Sequence, residues 1–318
     1  NTISGQNVSL VVHKADLHKA LNVVHGQLFG ISKKVNLAVF GHGLVGGTLL
    51  HQLFESKKEI EKRKNICLNV FAIANSKKAI LSKNGLGKDW KSLLDEKGQP
   101  YVYDDVIAYA ETNHLENLIC IDNTASEDLV YQYPKFVESG FDLVSSNKIA
   151  NTLPIGFYQR LRRTLQKNQK QYRYETNVAA GLPLIDTIKL LHLSGENITR
   201  IRGVFSGSLS FIFNTFSEID APFSNVVLEA MQKGYTEPNP QDDLSGNDVG
   251  RKLLILAREL DLHNELHEVA IESLVPTAMK KLDQQQFIDR LKELDAPFKS
   301  LKTNQEPDHV LRYIGDLH

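Results

Sequence analysis

Short continuous apolar runs punctuate the first half of the chain. Val35–Phe40 (VNLAVF), Cys67–Ala74 (CLNVFAIA), Leu118–Asp122 (LICID) and Phe141–Ser145 (FDLVS) each read as a strand buried on both faces, the kind found in parallel sheets. Between the first two, Leu44–Lys62 has helical spacing. Leu49, Leu50, Leu53 and Phe54 fall on one face, and Lys57, Lys58, Glu59 and Glu61 on the other. Strand, helix and strand at these intervals predict right-handed crossovers and a doubly wound α/β sheet. Beyond Asn151 the pattern changes. Helices are predicted over Ile155–Gln169, Phe211–Phe216, Val226–Lys233 and Asp248–Leu260, and strands over Arg173–Glu175, Ile198–Phe205 and Val310–Ile314. This mixture predicts a second, α+β domain with a mixed sheet. Ahead of both, Gln6–His13 reads as a strand and Ala15–Phe29 as a helix with Leu17, Leu21, Val24 and Leu28 near one face. Thirty residues are too few to fold alone. They are either an embellishment of the next domain or the last piece of a preceding one. The expected division is 1–30, 31–152 and 153–318.

Composition narrows the partners. Lys and Arg number 37 against 38 Asp and Glu, a formal net charge of -1. With no long basic block, neither a nucleic acid nor a membrane surface is an expected partner. No run of about 18 apolar residues is present to cross a bilayer. Cys67 and Cys120 lie inside apolar strands without a CxxC context. They read as core hydrophobes in a reducing cytoplasm rather than as a disulfide framework. The chain opens at Asn1 with no signal-peptide pattern, so it reads as an excerpt of a longer protein.

Gly41-His42-Gly43-Leu44-Val45-Gly46 follows a buried strand and opens a helix. In a Rossmann-type domain the first glycine permits the tight turn. The second lets backbone approach a pyrophosphate, and the third lets helix and strand pack closely. Amides of the helix N-terminus then hold the anionic phosphates. Gly41, Gly43, Leu44, Val45 and Gly46 are therefore candidate cofactor residues. The second strand ends in Asn75-Ser76-Lys77-Lys78, without the acid that reads the ribose of NAD. Ser76 and Lys77 favour the 2′-phosphate of NADP, or tolerance of both cofactors; solvated loop charges are the alternative for Lys77 and Lys78. Thr124 and Lys148 follow two further strand ends and would face the same crevice.

The stretch GYTEPNPQDDLSGNDVGRK (234–252) combines two prolines with Glu237, Asp242 and Asp243 in a loop, and a helix beginning near Asn247. Asp248 and Lys252, four residues apart, share one helical face. Alone, such a pair is an ordinary surface ion pair. After a stiffened acidic loop it also suits capture of a cationic amino group and proton transfer by a partly desolvated lysine. The spacing does not match a calcium loop.

This stretch resembles the signature of the homoserine dehydrogenase family. VFGHGLVG, IDNTAS, SSNKIANT, YETNVAAGLPLI and SGSLSFIFN match that family in order, and the likeness covers residues 31–318. SGQNVSLVVHKADLHKALNVVH resembles the end of the ACT regulatory region of bifunctional aspartokinase–homoserine dehydrogenases. The resemblance implies reversible NAD(P)-dependent interconversion of L-homoserine and L-aspartate 4-semialdehyde. It makes Lys252 the proton donor and acceptor, with Asp248 beside it. Glu237, Asp243 and Tyr235 become substrate-binding residues, and Lys148 lies between nicotinamide and substrate. Thr124 and the Gly41–Gly46 loop contact the cofactor. It further implies a monovalent cation such as Na+ at Glu175, Val178, Ala180 and Leu182, mostly through backbone carbonyls, and a homodimer formed through the second domain.

Two features depart from the family pattern. Asn239 stands where Asp is common, and Ser145-Ser146 where Thr-Pro is common; neither replaces a group named above. The family also continues past LRYIGDLH, so the end at His318 is expected to leave Leu311, Tyr313 and Ile314 with fewer partners. His263 and His267 lack a third ligand and read as solvated. Arg160, Arg162, Arg163, Lys167 and Lys170 read as a solvated helix face. A non-catalytic dinucleotide-binding or regulatory fragment is the competing reading. Joint presence of Lys148, Glu237, Asp243 and Lys252 argues against it.

Overall fold

The computed structural model describes residues 9, 11–17, 20–21, 24, 32–306 and 308–318. Of the strand expected over Gln6–His13, residues 9 and 11–13 are described and are not strand. Of the helix over Ala15–Phe29, residues 17, 20, 21 and 24 are helical after a 3-10 turn over Lys14–Asp16. The remainder lies outside the described residues, as does most of the 1–30 regulatory reading. The chain forms two compact units, one of residues 1–150 and 159–174, the other of 151–158 and 175–318.

The first unit is a sheet of six strands among the described residues: β1 (Lys33–Phe40), β2 (Ile66–Ala74), β3 (Ala79–Leu81), β4 (Leu118–Asp122), β5 (Phe141–Ser145) and β6 (Tyr172–Arg173). Their order is β3-β2-β1-β4-β5-β6, parallel throughout except for the antiparallel edge strand β3. From β1 the strand order runs outward one way to β2 and β3 and the other way to β4, β5 and β6, so it reverses between β1 and β4. The ends of these two strands therefore flank a crevice, the topological switch point where doubly wound sheets bind ligands. Helix α1 (Leu44–Lys64) buries Leu50 against Leu37, Val39, Val70 and Ile73. Residues 37–40 and 70–74 are almost wholly buried, which is why their sequence is continuously apolar rather than alternating. Further helices α2 (Trp90–Lys97), α3 (Tyr103–Thr112) and α4 (Glu127–Glu138) follow, and α5 spans Ile155–Lys167.

The second unit is mainly helical: α6 (Leu184–Leu193), α7 (Gly207–Glu218), α8 (Phe223–Gln232), α9 (Pro240–Leu244) and α10 (Asn247–Glu259), followed by two further helices, Gln284–Asp289 and Asp295–Thr303, among shorter turns. Phe213, Phe216, Phe223 and Phe298 join its core, and the Phe223 and Phe298 rings stack 3.7 Å apart. Fully burying one such ring is worth roughly 2–3 kcal/mol. The mixed sheet expected here is, among the described residues, one antiparallel pair, β7 (Ile201–Gly203) with β8 (Gly315–Leu317).

Three strand expectations shift. Arg173–Glu175 becomes Tyr172–Arg173, because the Glu175 carboxylate turns to cap α6 and accepts from Ile185 N and Asp186 N. Ile198–Phe205 shortens to Ile201–Gly203. Val310–Ile314 is not a strand, and pairing begins at Gly315. Leu311 and Tyr313 instead pack onto the helical core, and the Tyr313 hydroxyl donates to the Glu272 carbonyl. That segment straps the start of α10: a Cβ added at Gly246 would meet the Tyr313 hydroxyl at 2.0 Å.

Candidate functional site

In the first unit, the three loop glycines meet three different demands. Gly41 has φ +82°, and a Cβ there would meet Asn123 O at 2.7 Å. A Cβ at Gly46 would lie 1.9 Å from Gly41 O, so helix and turn touch backbone to backbone. Gly43 has no atom within 4 Å of its virtual Cβ; its side is open. A tight turn, a close approach left free and a helix contact are what pyrophosphate binding needs. Leu44 and Val45, 89% and 58% exposed, carry the first amides of α1 on that open side. Gly43→Ala is therefore expected to leave the melting temperature unchanged, since its φ of -65° suits alanine. It should weaken NADPH binding about tenfold or more. Gly46→Ala should lower both. Fluorescence titration beside thermal unfolding separates the two cases, and equal behaviour would refute these assignments.

Thr124 and Lys148 follow β4 and β5, as the sequence suggested. A residue not singled out before organises both turns. Asp122, fully buried, accepts from Thr124 N at 2.7 Å, from the Tyr133 hydroxyl at 2.7 Å and from Asn147 Nδ2 at 3.1 Å. Ser145 Oγ accepts from Asn147 N at 2.9 Å. Burial pushes the Asp122 carboxyl above the usual carboxylate range, opposed by these donors. Sequence could show an acid ending an apolar strand, but not that its partners would come from three other segments. Ser76 and Lys77 lie exposed in the turn after β2.

In the second unit the acidic stretch closes on itself. Asp243 sits on the short helix α9 rather than in a loop. Its Oδ1 accepts from Ser208 Oγ at 2.6 Å, and its Oδ2 from Glu237 N at 2.9 Å. Ser208 Oγ is in turn 2.9 Å from Ser206 Oγ. Asp248 and Lys252 form the expected pair, Nζ to Oδ2 2.9 Å, with the lysine side chain only 14% exposed. Lys252 Nζ also donates to the Phe205 carbonyl at 2.7 Å. The amine is thus fixed beside the Phe205–Ser208 turn, and that turn is fixed to Asp243 and Glu237. SGSLSFIFN was legible as a motif, but the roles of Phe205 and Ser208 were not. Glu237 and Tyr235 are exposed, the Tyr235 ring lying edge-on to Phe211.

Glu175, Val178, Ala180 and Leu182 run through the turn leading into α6. Glu175 accepts from Ile185 N at 2.7 Å and Asp186 N at 3.0 Å, and the Leu182 carbonyl accepts from Leu184 N. Ala180 is held at φ +21°. No cluster of three or more His, Cys, Asp or Glu is placed to hold a metal among the described residues. Any ion here would depend on backbone carbonyls, a donor set that suits a hard alkali cation.

With this geometry in place, comparison with known proteins is decisive. The family description "Homoserine dehydrogenase, NAD binding domain" matches residues 41–175, and "Homoserine dehydrogenase" matches 183–317. A homoserine dehydrogenase of Schizosaccharomyces pombe is 34% identical over 292 residues, covering 89% of this chain and 77% of the relative. The chain belongs to the homoserine dehydrogenase family. A bifunctional aspartokinase/homoserine dehydrogenase of Buchnera aphidicola is 40% identical, covering 99% of this chain and 39% of the relative. The chain thus spans about two-fifths of the bifunctional relatives it matches. Among solved structures, a hyperthermophilic archaeal homoserine dehydrogenase in complex with NADPH is similar with a TM-score of 0.58 and 26% identity, covering 71% of this chain and 69% of the other.

Proposed function

We propose that this chain interconverts L-homoserine and L-aspartate 4-semialdehyde with NADP or NAD. The observation that carries this reading is the Lys252 amine held between Asp248 and the Phe205 carbonyl, beside a turn braced to Glu237 and Asp243, in a chain of this family. The glycine loop, Ser76, Lys77, Thr124 and Lys148 would hold the cofactor, whose nicotinamide supplies the hydride chemistry when bound. Glu237 and Asp243, with Tyr235, would receive the amino-acid end of the substrate, the carboxylates facing its ammonium group. In the reducing direction Lys252 gives a proton to the oxygen that becomes the alcohol; in the oxidising direction it takes that proton back. Asp248 stabilises the charged amine. The carbonyls of Val178, Ala180 and Leu182, with Glu175, would hold a monovalent cation. Absorbance at the nicotinamide band on mixing the chain with L-homoserine and NADP, then with NAD, tests the reading. Silence with both cofactors would overturn it.

The first thirty residues correspond, on this reading, to chain that joins the dehydrogenase to a regulatory region in bifunctional relatives. Alignment to the Buchnera relative reaches 99% of this chain, against 89% for the yeast one. A reducing compartment such as the cytoplasm suits the two free cysteines; no helix of the described residues is long and apolar enough to cross a membrane. Homodimer formation is supported by α6, whose Leu190 and Leu193 are 66% and 85% exposed. Apolar surface grouped this way commonly marks an interface. Leu190→Glu with Leu193→Glu is expected to convert a dimer to a monomer in light scattering. An unchanged mass would exclude this face.

A further inference from the structure

Asn75 closes the run of β2, and its neighbours fix its side chain completely. Lys77 N and Lys78 N donate to its Oδ1 at 2.8 and 2.9 Å. Main-chain N–H groups can only donate, so the oxygen must face them and the amide cannot flip. The Tyr101 hydroxyl donates to the Asn75 carbonyl at 3.1 Å. Nδ2 is left pointing at Nε2 of His42, 3.3 Å away. The His42 ring rests against Trp90 of α2, centroids 5.2 Å apart.

This arrangement bears on cofactor choice. In dinucleotide-binding sheets the end of the second strand carries a carboxylate that accepts from the ribose hydroxyls of NAD. Here no carboxylate ends the strand, and Asn75 Oδ1 is already taken by two amides. What remains is rich in donors: Asn75 Nδ2, the Lys77 ammonium group, and the Ser76 hydroxyl and His42 imidazole, each able to donate. A donor-rich set that includes positive charge and lacks a carboxylate suits a phosphate monoester better than a neutral diol. The other titratable groups nearby do not cancel it. Lys78 is engaged by the carbonyl of Asp95 at 3.0 Å and by its carboxylate at 3.4 Å, and Tyr101 is turned to the Asn75 carbonyl. Asn75 Nδ2 and His42 Nε2 lie 3.3 Å apart, close enough to share one phosphate oxygen.

We propose that His42 is a specificity-determining residue which, with Asn75 and Lys77, holds the adenosine 2′-phosphate of NADP(H), so that the chain uses NADP(H) in preference to NAD(H). The assignment rests on the cofactor reading of the glycine loop and deepens it. His42, the residue between the first two glycines, thereby couples the phosphate-binding turn to the end of β2.

Calorimetric titration with 2′,5′-ADP and with 5′-ADP tests this without any turnover. The wild-type chain should bind 2′,5′-ADP at least about tenfold more tightly than 5′-ADP. His42→Phe keeps a ring against Trp90 but removes the nitrogen. It should lose about tenfold in affinity for 2′,5′-ADP, the scale of one charge-assisted hydrogen bond, with 5′-ADP unchanged. Lys77→Ala, at an exposed position that cannot unfold the chain, should lose a comparable factor. Equal binding of the two nucleotides by the wild type, or an undiminished ratio in His42→Phe, overturns the proposal. Failure of both nucleotides to bind overturns it together with the glycine-loop reading. Oxidation of L-homoserine as fast with NAD as with NADP overturns the role of His42 alone and leaves the proposed reaction standing.

Discussion

Lys252→Ala is expected to lower homoserine turnover by about 10²–10⁴-fold, the usual cost of losing a positioned proton-transfer group. The amine is the one cationic group of the acidic stretch that is mostly withdrawn from water, 14% exposed, and two bonds fix its direction. Asp248 and the Phe205 carbonyl, at 2.9 and 2.7 Å, take two of its three protons. The third is the one a substrate oxygen would receive. Reduction of an aldehyde leaves an alkoxide, so without the lysine water must supply the proton from an unorganised position. NADPH binding, which rests on the glycine loop, should be nearly unchanged in the same variant. Asp248→Asn should cost less, because the Phe205 carbonyl still holds the amine. Stopped-flow and steady-state rates beside an NADPH titration check all three statements. Near-normal turnover in Lys252→Ala would remove the residue from the chemistry.

Arg258→Met should be the most damaging single change to stability. The Arg258 side chain is wholly buried and pairs with Glu265 at 3.2 Å. It also donates to the carbonyls of Asn151, Leu153 and Asn264, and its guanidinium lies 5.1 Å from the Tyr158 ring centre. One side chain thus ties residues 151–158 to the end of α10 and the loop behind it. Methionine matches much of the volume but leaves buried carbonyls without donors, and breaking a buried pair from one side costs about 3–5 kcal/mol. Thermal unfolding should shift down by about 10 °C. Adding Glu265→Gln should recover little, since the carbonyls still lack partners. A shift of only a degree or so would show that solvent replaces these bonds.

The buried strands were legible because burial on both faces demands unbroken apolar runs. Leu118–Asp122 and Phe141–Ser145 match the observed strands, and β1 and β2 differ at their starts. Helix α10 starts where the sequence placed it, after a glycine at φ +75°. Strand β3 was not legible, being three residues at a sheet edge, and the two-residue β6 was legible only with shifted bounds. The 310–314 run misled because its apolar residues serve as a strap, a use that shares the composition of a strand. The partners of Lys252, Asp122 and Asn75 were hidden for a different reason. Many are backbone atoms or residues far away in the chain, and a carbonyl oxygen leaves no mark on sequence.

By itself, sequence determined the alternation of buried strands and helices, the glycine loop, the i,i+4 spacing of Asp248 and Lys252, and the order of motifs that marks the family. All of these are local or periodic, set by φ/ψ limits and by which face of an element meets the core. Only the tertiary structure decided that Asp122 joins two loops from below, that Asp243 braces Ser208, and that the Asn75 side chain meets His42. Such facts depend on groups brought together by packing across tens of residues, where the direction of a single hydrogen bond settles what a side chain has left to offer.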